Sequence, residues 1–96
     1  MTTYFVSRHA GAVEWASTQD LGIDVWLEHL DAASVIPGDI VAGTLPVHLA
    51  AAVCERGAIY LHLAIDMPGQ ARGGELTADQ LGQMGARLEK YDVARS

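Results

Sequence analysis

Apolar and polar residues alternate, or gather in short runs, along most of the chain, and this pattern predicts strands separated by helices. A period of two, or a run of β-branched and aromatic residues, indicates a strand, whereas apolar residues three or four positions apart indicate a helix. Four segments are predicted strands on this basis: residues 3–7, 23–30, 40–43 and 58–65. The second alternates along its length, which is typical of a half-buried strand at or near a sheet edge.

Three helices are predicted among these strands. They cover residues 12–19, a segment from 44–46 to 56, and a last segment that begins after Thr77. Pro46 suits a first helical turn, with Thr44 or Leu45 at the cap. Thr77 and Gln80 form a capping-box pattern. The predicted apolar face of the last helix holds Leu81, Met84, Leu88 and Tyr91.

Strands that alternate with helices are typical of an α/β protein. The pattern predicts a small Rossmann-like domain of three layers, with a mostly parallel four-stranded sheet. Ninety-six residues, 50% of them hydrophobic and 19% charged, are expected to form one domain spanning residues 1–96. The chain has no apolar run long enough to cross a membrane and no signal-like N-terminus. We therefore expect a cytoplasmic protein without a membrane partner.

Charge and cysteine content narrow the classes of ligand. Twelve acidic and six basic residues give a formal net charge of −6, which disfavours binding to long DNA or RNA. A small anion remains possible, because it needs only backbone N–H groups and one or two basic side chains. Cys54 is the single cysteine, and the four histidines lack metal-ligand spacing. Neither a metal nor a cofactor is therefore expected.

The turn after the first predicted strand combines a hydroxyl, a guanidinium and an imidazole in Ser7, Arg8 and His9, and it closes at Gly11. In a parallel sheet this turn lies at the carboxyl edge, beside a helix N-terminus, where ligands bind. A phosphate would suit it, since Arg8 offers paired hydrogen bonds and His9 a proton donor. The alternative is an ordinary turn with solvent-exposed polar side chains.

Two further loops are expected at the same edge. Thr44, Leu45 and His48 follow the third predicted strand, and they would either face the same anion or serve only as a helix cap and a surface histidine. Asp66 and Arg72 belong to a glycine-containing loop after the fourth predicted strand. This loop is interpreted either as a lid that closes over a ligand or simply as a connection.

Four sequence blocks resemble one protein family. They are MTTYFVSRH at 1–9, GAVEW at 11–15, GDIVAGTLPVHLAA at 38–51 and RGGELT at 72–77. In this order they are similar to the CRISPR-associated Csx-sixteen family. The resemblance implies a role in type III CRISPR immunity, as a ring nuclease that cuts the cyclic tetra-adenylate messenger and ends the response. It also implies an architecture like the Rossmann-like dimeric sensor domains that bind this ligand.

The resemblance makes Arg8, His9, Thr44 and His48 the site candidates. In ring nucleases a ribose 2′-hydroxyl attacks the neighbouring phosphate without a metal and leaves a 2′,3′-cyclic phosphate. Arg8 would then contact the phosphate, Ser7 and Thr44 would support it, and His9 or His48 would act as general acid or base. The ligand's two-fold symmetry predicts a homodimer. The alternatives are a non-catalytic sensor or sequestering module of cyclic oligoadenylates, and an accessory interaction protein of the CRISPR system.

Overall fold

The structure is a computed structural model, and it describes residues 1–66 and 76–96. In chain order the regular elements are β1 (Thr3–Val6), α1 (Ala10–Ser17), β2 (Val25–Leu27), a 3₁₀ turn (Ala32–Ser34), β3 (Ile40–Gly43), α2 (Val47–Glu55), β4 (Ile59–Ala64), α3 (Ala78–Gln83) and β5 (Arg87–Tyr91). Each of the four predicted strands and three predicted helices has a counterpart, although α1 begins at Ala10 rather than at residue 12 and α2 begins only at Val47. None of the helices within these two ranges has the length and hydropathy needed to span a membrane.

The strands form one sheet in the order β2-β1-β3-β4-β5. The first four run parallel, and β5 pairs antiparallel with β4. The mostly parallel sheet and the edge position of β2 are therefore confirmed. The chain leaves β1 toward β2 on one side and resumes at β3 on the other side of β1. This reversal creates a switch point between β1 and β3, where doubly wound folds hold ligands.

Two hydrophobic clusters lie on opposite faces of the sheet, because successive strand residues point to opposite sides. Val41 and Tyr60 face α2, with Val53 among their buried neighbours. Phe5 and Leu63 face the other way and pack with α1 and α3. The three-layer arrangement is therefore confirmed.

The last helix ends much earlier than predicted. Its start is as expected, since the Gln80 N–H donates to Thr77 Oγ1 at 3.2 Å and the Thr77 N–H donates to Gln80 Oε1 at 2.9 Å. The helix stops at Gln83, and Gly85 takes a φ of +72°, a conformation that glycine adopts without strain at helix C-termini. The following residues form β5 instead of further helical turns. The predicted continuation through Leu88 to Tyr91 is wrong, and the sheet formed by the described residues has five strands rather than the predicted four.

Leu88 shows why the longer helix is not formed. It pairs with Leu63 of β4 and packs against the α1 and α3 side of the sheet. Without β5, the backbone groups of β4 along that edge would lack sheet partners. Pairing with β4 therefore outweighs the helical spacing of the apolar residues.

Asp39 ties the start of β3 to the N-terminus of the chain. Its carboxylate is buried and accepts hydrogen bonds from the Thr2 N–H at 2.9 Å and the Ile36 N–H at 3.1 Å. These two hydrogen bonds, of which the one from Thr2 has the larger effect, hold the pKa of Asp39 below its ordinary value of 3.8. Because the folded-state pKa is lowered, this stabilisation is complete above pH 3.8 and is lost as the pH falls through the folded-state pKa.

Gly11, which was predicted to belong to the ligand site, lies where α1 contacts the residues just before α3. An ideal Cβ built on Gly11 would lie well inside van der Waals distance of the Leu76 carbonyl oxygen. Leu76 immediately precedes the capped start of α3, and α1 and α3 pack against each other. Gly11 therefore permits the close approach of these two elements.

We expect Gly11→Ala to lower the free energy of unfolding by about 1–3 kcal/mol, because the added methyl group overpacks this contact. Gly82→Ala is the matched control. Gly82 is a helical glycine of α3 with no atom within 4 Å of its built Cβ, so alanine should stabilise the protein by about 0.5–1 kcal/mol through helix propensity. Urea denaturation of both variants measures the difference, and equal shifts would contradict the packing role of Gly11.

Candidate functional site

Two turns meet at the switch point and enclose a cleft of about 580 Å³. One follows β1 and the other follows β3, so both lie at the carboxyl ends of adjacent parallel strands. The residues that line the cleft are Val6, Ser7, Arg8, His9, Glu28, His29, Leu30, Thr44, Leu45, Pro46 and Leu49. Five of the sequence-predicted site residues are thus brought together: Ser7, Arg8, His9, Thr44 and Leu45.

The β1 turn is held by its own hydrogen bonds. The Ser7 N–H donates to the Leu27 carbonyl at 3.0 Å, and the His9 N–H donates to Ser7 Oγ at 3.1 Å. Ser7 is buried, whereas Arg8 and His9 are exposed. His9 is the N-cap residue of α1, and its side chain makes no capping hydrogen bond. A fixed backbone therefore presents a guanidinium and an imidazole at the start of a helix, an arrangement suited to an anion.

The β3 turn differs from its predicted form. Pro46, not Thr44 or Leu45, is the N-cap residue of α2, which begins at Val47. Thr44 does not cap the helix because its N–H still donates to the Val6 carbonyl at 3.4 Å, which ties Thr44 to β1. Pro46 brings no capping side chain. Thr44 is exposed and lines the cleft, and its hydroxyl does not cap α2.

Tyr60 of β4 fixes the β3 turn from below. Its hydroxyl accepts the Leu45 N–H at 3.1 Å and lies 2.7 Å from Nδ1 of His62 and 3.4 Å from the Gly43 carbonyl oxygen. Burial raises the pKa of Tyr60, so the phenol stays protonated at neutral pH. The strand next to β3 in the sheet thereby sets the position of the loop that carries Thr44 and Leu45.

We expect Tyr60→Phe to lower the free energy of unfolding by about 1–3 kcal/mol, because the Leu45 N–H loses its acceptor. Amide exchange at Leu45 should accelerate as well. Tyr91→Phe is the control, since the Tyr91 hydroxyl bonds to the Glu89 carboxylate at the surface. Urea denaturation and exchange measured by NMR test both variants, and a Leu45 amide as protected in Tyr60→Phe as in the wild type would refute the role of Tyr60.

The remaining predicted site residues do not line this cleft among the described residues. His48 is the exposed second residue of α2, adjacent to Leu49, which does line it. Asp66 is exposed, and its Oδ1 lies 3.4 Å from Nη2 of Arg87 in β5. Gly11 lies at the α1 and α3 contact described above. Arg72, in the loop that was interpreted either as a lid or as a connection, lies outside the described residues.

Glu28 and His29 line the cleft but were not predicted as site residues. The sequence pattern places them inside a strand of residues 23–30, whereas β2 ends at Leu27. Among the described strands β2 pairs with β1 alone, and β2 is short because β1 ends at Val6, the partner of Leu27. The early end of β2 depends on its pairing with the four-residue β1, which the local pattern of residues 23–30 does not reveal.

The cleft concentrates basic groups in an acidic chain. Among the described residues, Arg8, His9 and His29 line it together with the carboxylate of Glu28, while the chain as a whole carries a formal charge of −6. Within residues 1–66 and 76–96, no group of three or more histidine, cysteine, aspartate or glutamate side chains is placed to hold a metal ion. The arrangement suits binding and proton transfer at a small anion.

Strand order and cleft position define the class of protein: a small doubly wound α/β domain with its candidate site at the switch point. A family model described as "Putative CRISPR-associated protein (Cas_VVA1548)" matches residues 4–94. The chain belongs to this CRISPR-associated family. No curated protein and no solved structure matches the chain. The CRISPR association implied by the sequence motifs is confirmed, and the family description names no activity.

Proposed function

We propose that this protein is a ring nuclease that binds a cyclic oligoadenylate, cyclic tetra-adenylate in the first instance, and cleaves it to end a type III CRISPR response. The observation that supports this most is the meeting of Ser7, Arg8, His9 and Thr44 in one cleft at the switch point. The membership in a CRISPR-associated family fits the same role. A cyclic oligonucleotide is small enough for such a cleft, whereas long nucleic acid is disfavoured by the charge of −6.

The proposed reaction is an internal transesterification. The ribose 2′-oxygen forms a bond to the adjacent phosphorus as its proton passes to a base, and the bond to the 5′-oxygen breaks as that oxygen takes a proton from an acid. The product is linear and ends in a 2′,3′-cyclic phosphate. Arg8 and the N–H groups at the start of α1 would stabilise charge on the phosphorus centre, with Ser7 and Thr44 as hydrogen-bonding supports. His9 or His48 would move the proton.

We also propose that the active form is a homodimer around the two-fold symmetry of the ring. Val47 supports this, because it is a 77% exposed apolar residue at the first position of α2, beside the cleft. A two-fold contact at Val47 would cover this apolar surface. It would also bring His48 of each copy toward the ligand, although His48 does not line the cleft of one chain. Size-exclusion chromatography coupled to light scattering measures the molar mass of the protein in solution and distinguishes a dimer from a monomer.

The deciding experiment is incubation of the purified protein with cyclic tetra-adenylate and excess EDTA, followed by chromatography and mass spectrometry. We expect linear products that end in 2′,3′-cyclic phosphate. Arg8→Ala should weaken binding of the ring about 10- to 150-fold, the usual range for loss of a hydrogen bond to a charged group. An intact ring that still binds would select a sensor or sequestering module. An intact ring that does not bind would select an accessory interaction protein.

A further inference from the structure

Trp26 is an exposed indole on the edge strand of the sheet. The chain has two tryptophans, and their environments differ: Trp15 is buried at 6% exposure, whereas Trp26 is 42% exposed. Phe5 of β1 pairs with Trp26 in register, and their ring centroids are 5.5 Å apart at an angle of 52°. The indole is therefore held from one side, while a large part of it remains accessible.

This indole forms a wall of a second cleft, of about 440 Å³. Apolar groups from both neighbouring layers contribute, among them Val13 of α1 and Leu27 of β2. The cleft lies between α1 and the edge strand. Its size falls within the range of small-molecule sites, which combine mostly apolar walls with a few polar groups.

The second cleft is adjacent to the candidate phosphate site. Four residues line both: Ser7, Arg8, His9 and Glu28. An apolar aromatic pocket thus begins at the same turn that offers a guanidinium and an imidazole to an anion. A nucleotide has this pairing of parts, since a planar base with apolar faces is joined through the sugar to a charged phosphate.

We propose that the second cleft binds the base of the nucleotide whose phosphate lies at Ser7 to His9, stacked on Trp26, and that the base is adenine. This inference rests on the proposed function for the identity of the ligand. Stacking on an aromatic side chain is tolerant of base identity, so preference must come from polar groups. Glu14 lines the second cleft and not the first, and its carboxylate can accept a hydrogen bond from the exocyclic amine of adenine. Uracil presents no such amine.

The test compares ligands that differ only in the base. Binding of AMP, UMP and ribose 5-phosphate is measured by calorimetry for the wild type, Trp26→Leu and Trp26→Phe, with folding checked by circular dichroism. We expect AMP to quench tryptophan fluorescence. Trp26→Leu should weaken AMP binding about 5- to 150-fold and leave ribose 5-phosphate unaffected, whereas Trp26→Phe should retain most of the affinity. Glu14→Ala, which removes the acceptor, should reduce the preference for AMP over UMP.

Several outcomes would contradict the proposal that the second cleft is a base-binding site, the base site. Equal AMP affinity in the wild type and Trp26→Leu would do so, as would equal binding of AMP and ribose 5-phosphate, or no binding of AMP. A Trp26→Leu variant that loses dimer mass while binding AMP normally would assign Trp26 to a contact between copies instead. The ring-nuclease proposal and the base-site proposal can fail independently. If cyclic tetra-adenylate is not cleaved but AMP binding depends on Trp26, the nuclease proposal fails and the base site stands. If Trp26→Leu cleaves the ring with unchanged KM, the base site falls and the nuclease remains.

Discussion

His9→Ala is expected to slow the cleavage of cyclic tetra-adenylate by about 100-fold or more, the usual contribution of a positioned general acid or base. His9 lines the cleft, and its N–H is fixed to Ser7 Oγ at 3.1 Å, so its imidazole starts from a defined backbone position. Binding of the ring should weaken much less than the rate, because proton transfer stabilises the transition state more than the ground state. Single-turnover rates and equilibrium binding, measured on the same samples, separate the two quantities.

Two further variants sharpen this prediction. His9→Gln keeps a hydrogen-bonding side chain without an imidazole, so it should be as slow as His9→Ala if His9 moves a proton. His48→Ala identifies the partner group: a comparable loss there would show that both histidines act, as a dimer with His48 near the ring requires. A near-normal rate in His9→Ala would remove His9 from the proposed mechanism and leave His48 as the candidate.

The predicted fold and the observed one agree where local pattern and tertiary pairing favour the same structure. The β-branched and apolar runs that become β1, β3 and β4 are buried in the centre of a parallel sheet, where such runs are expected. The capping box of Thr77 is satisfied by its own neighbours, so it was visible in the sequence. Because the carboxyl ends of parallel strands share one edge, the meeting of Arg8, His9 and Thr44 also followed from the strand order.

The differences arise where a partner distant in sequence decides the outcome. β5 exists because β4 accepts a second neighbour, and nothing local to residues 87–91 reports that. Glu28 and His29 reach the cleft because β1 ends at Val6 and leaves β2 without a partner. The 42% exposure of Trp26 and the cleft that it lines likewise depend on how α1 covers the sheet.

The switch point also imposes a steric condition on the sequence, at Gly43. Gly43 ends β3 with a φ of +128°, and it pairs in register with Val6 of β1. An ideal Cβ on Gly43 would fall well inside van der Waals distance of the Val6 carbonyl oxygen. The same oxygen accepts the Thr44 N–H at 3.4 Å. A side chain at Gly43 would therefore separate β1 from β3 at the point where the cleft begins.

We expect Gly43→Ala to lower the free energy of unfolding by about 3–5 kcal/mol, the sum of backbone strain and overpacking. Total stability of such a domain is about 5–15 kcal/mol, so this variant should be extensively unfolded at moderate urea. Gly38→Ala is the control that separates backbone strain from overpacking, because Gly38 also has a positive φ, +91°, yet nothing lies within 4 Å of its built Cβ. Gly38→Ala should therefore show the strain alone, at about 1–2 kcal/mol. Equal urea midpoints for the two variants would mean that β1 and β3 tolerate separation at the switch point, and the cleft would then not depend on their close approach.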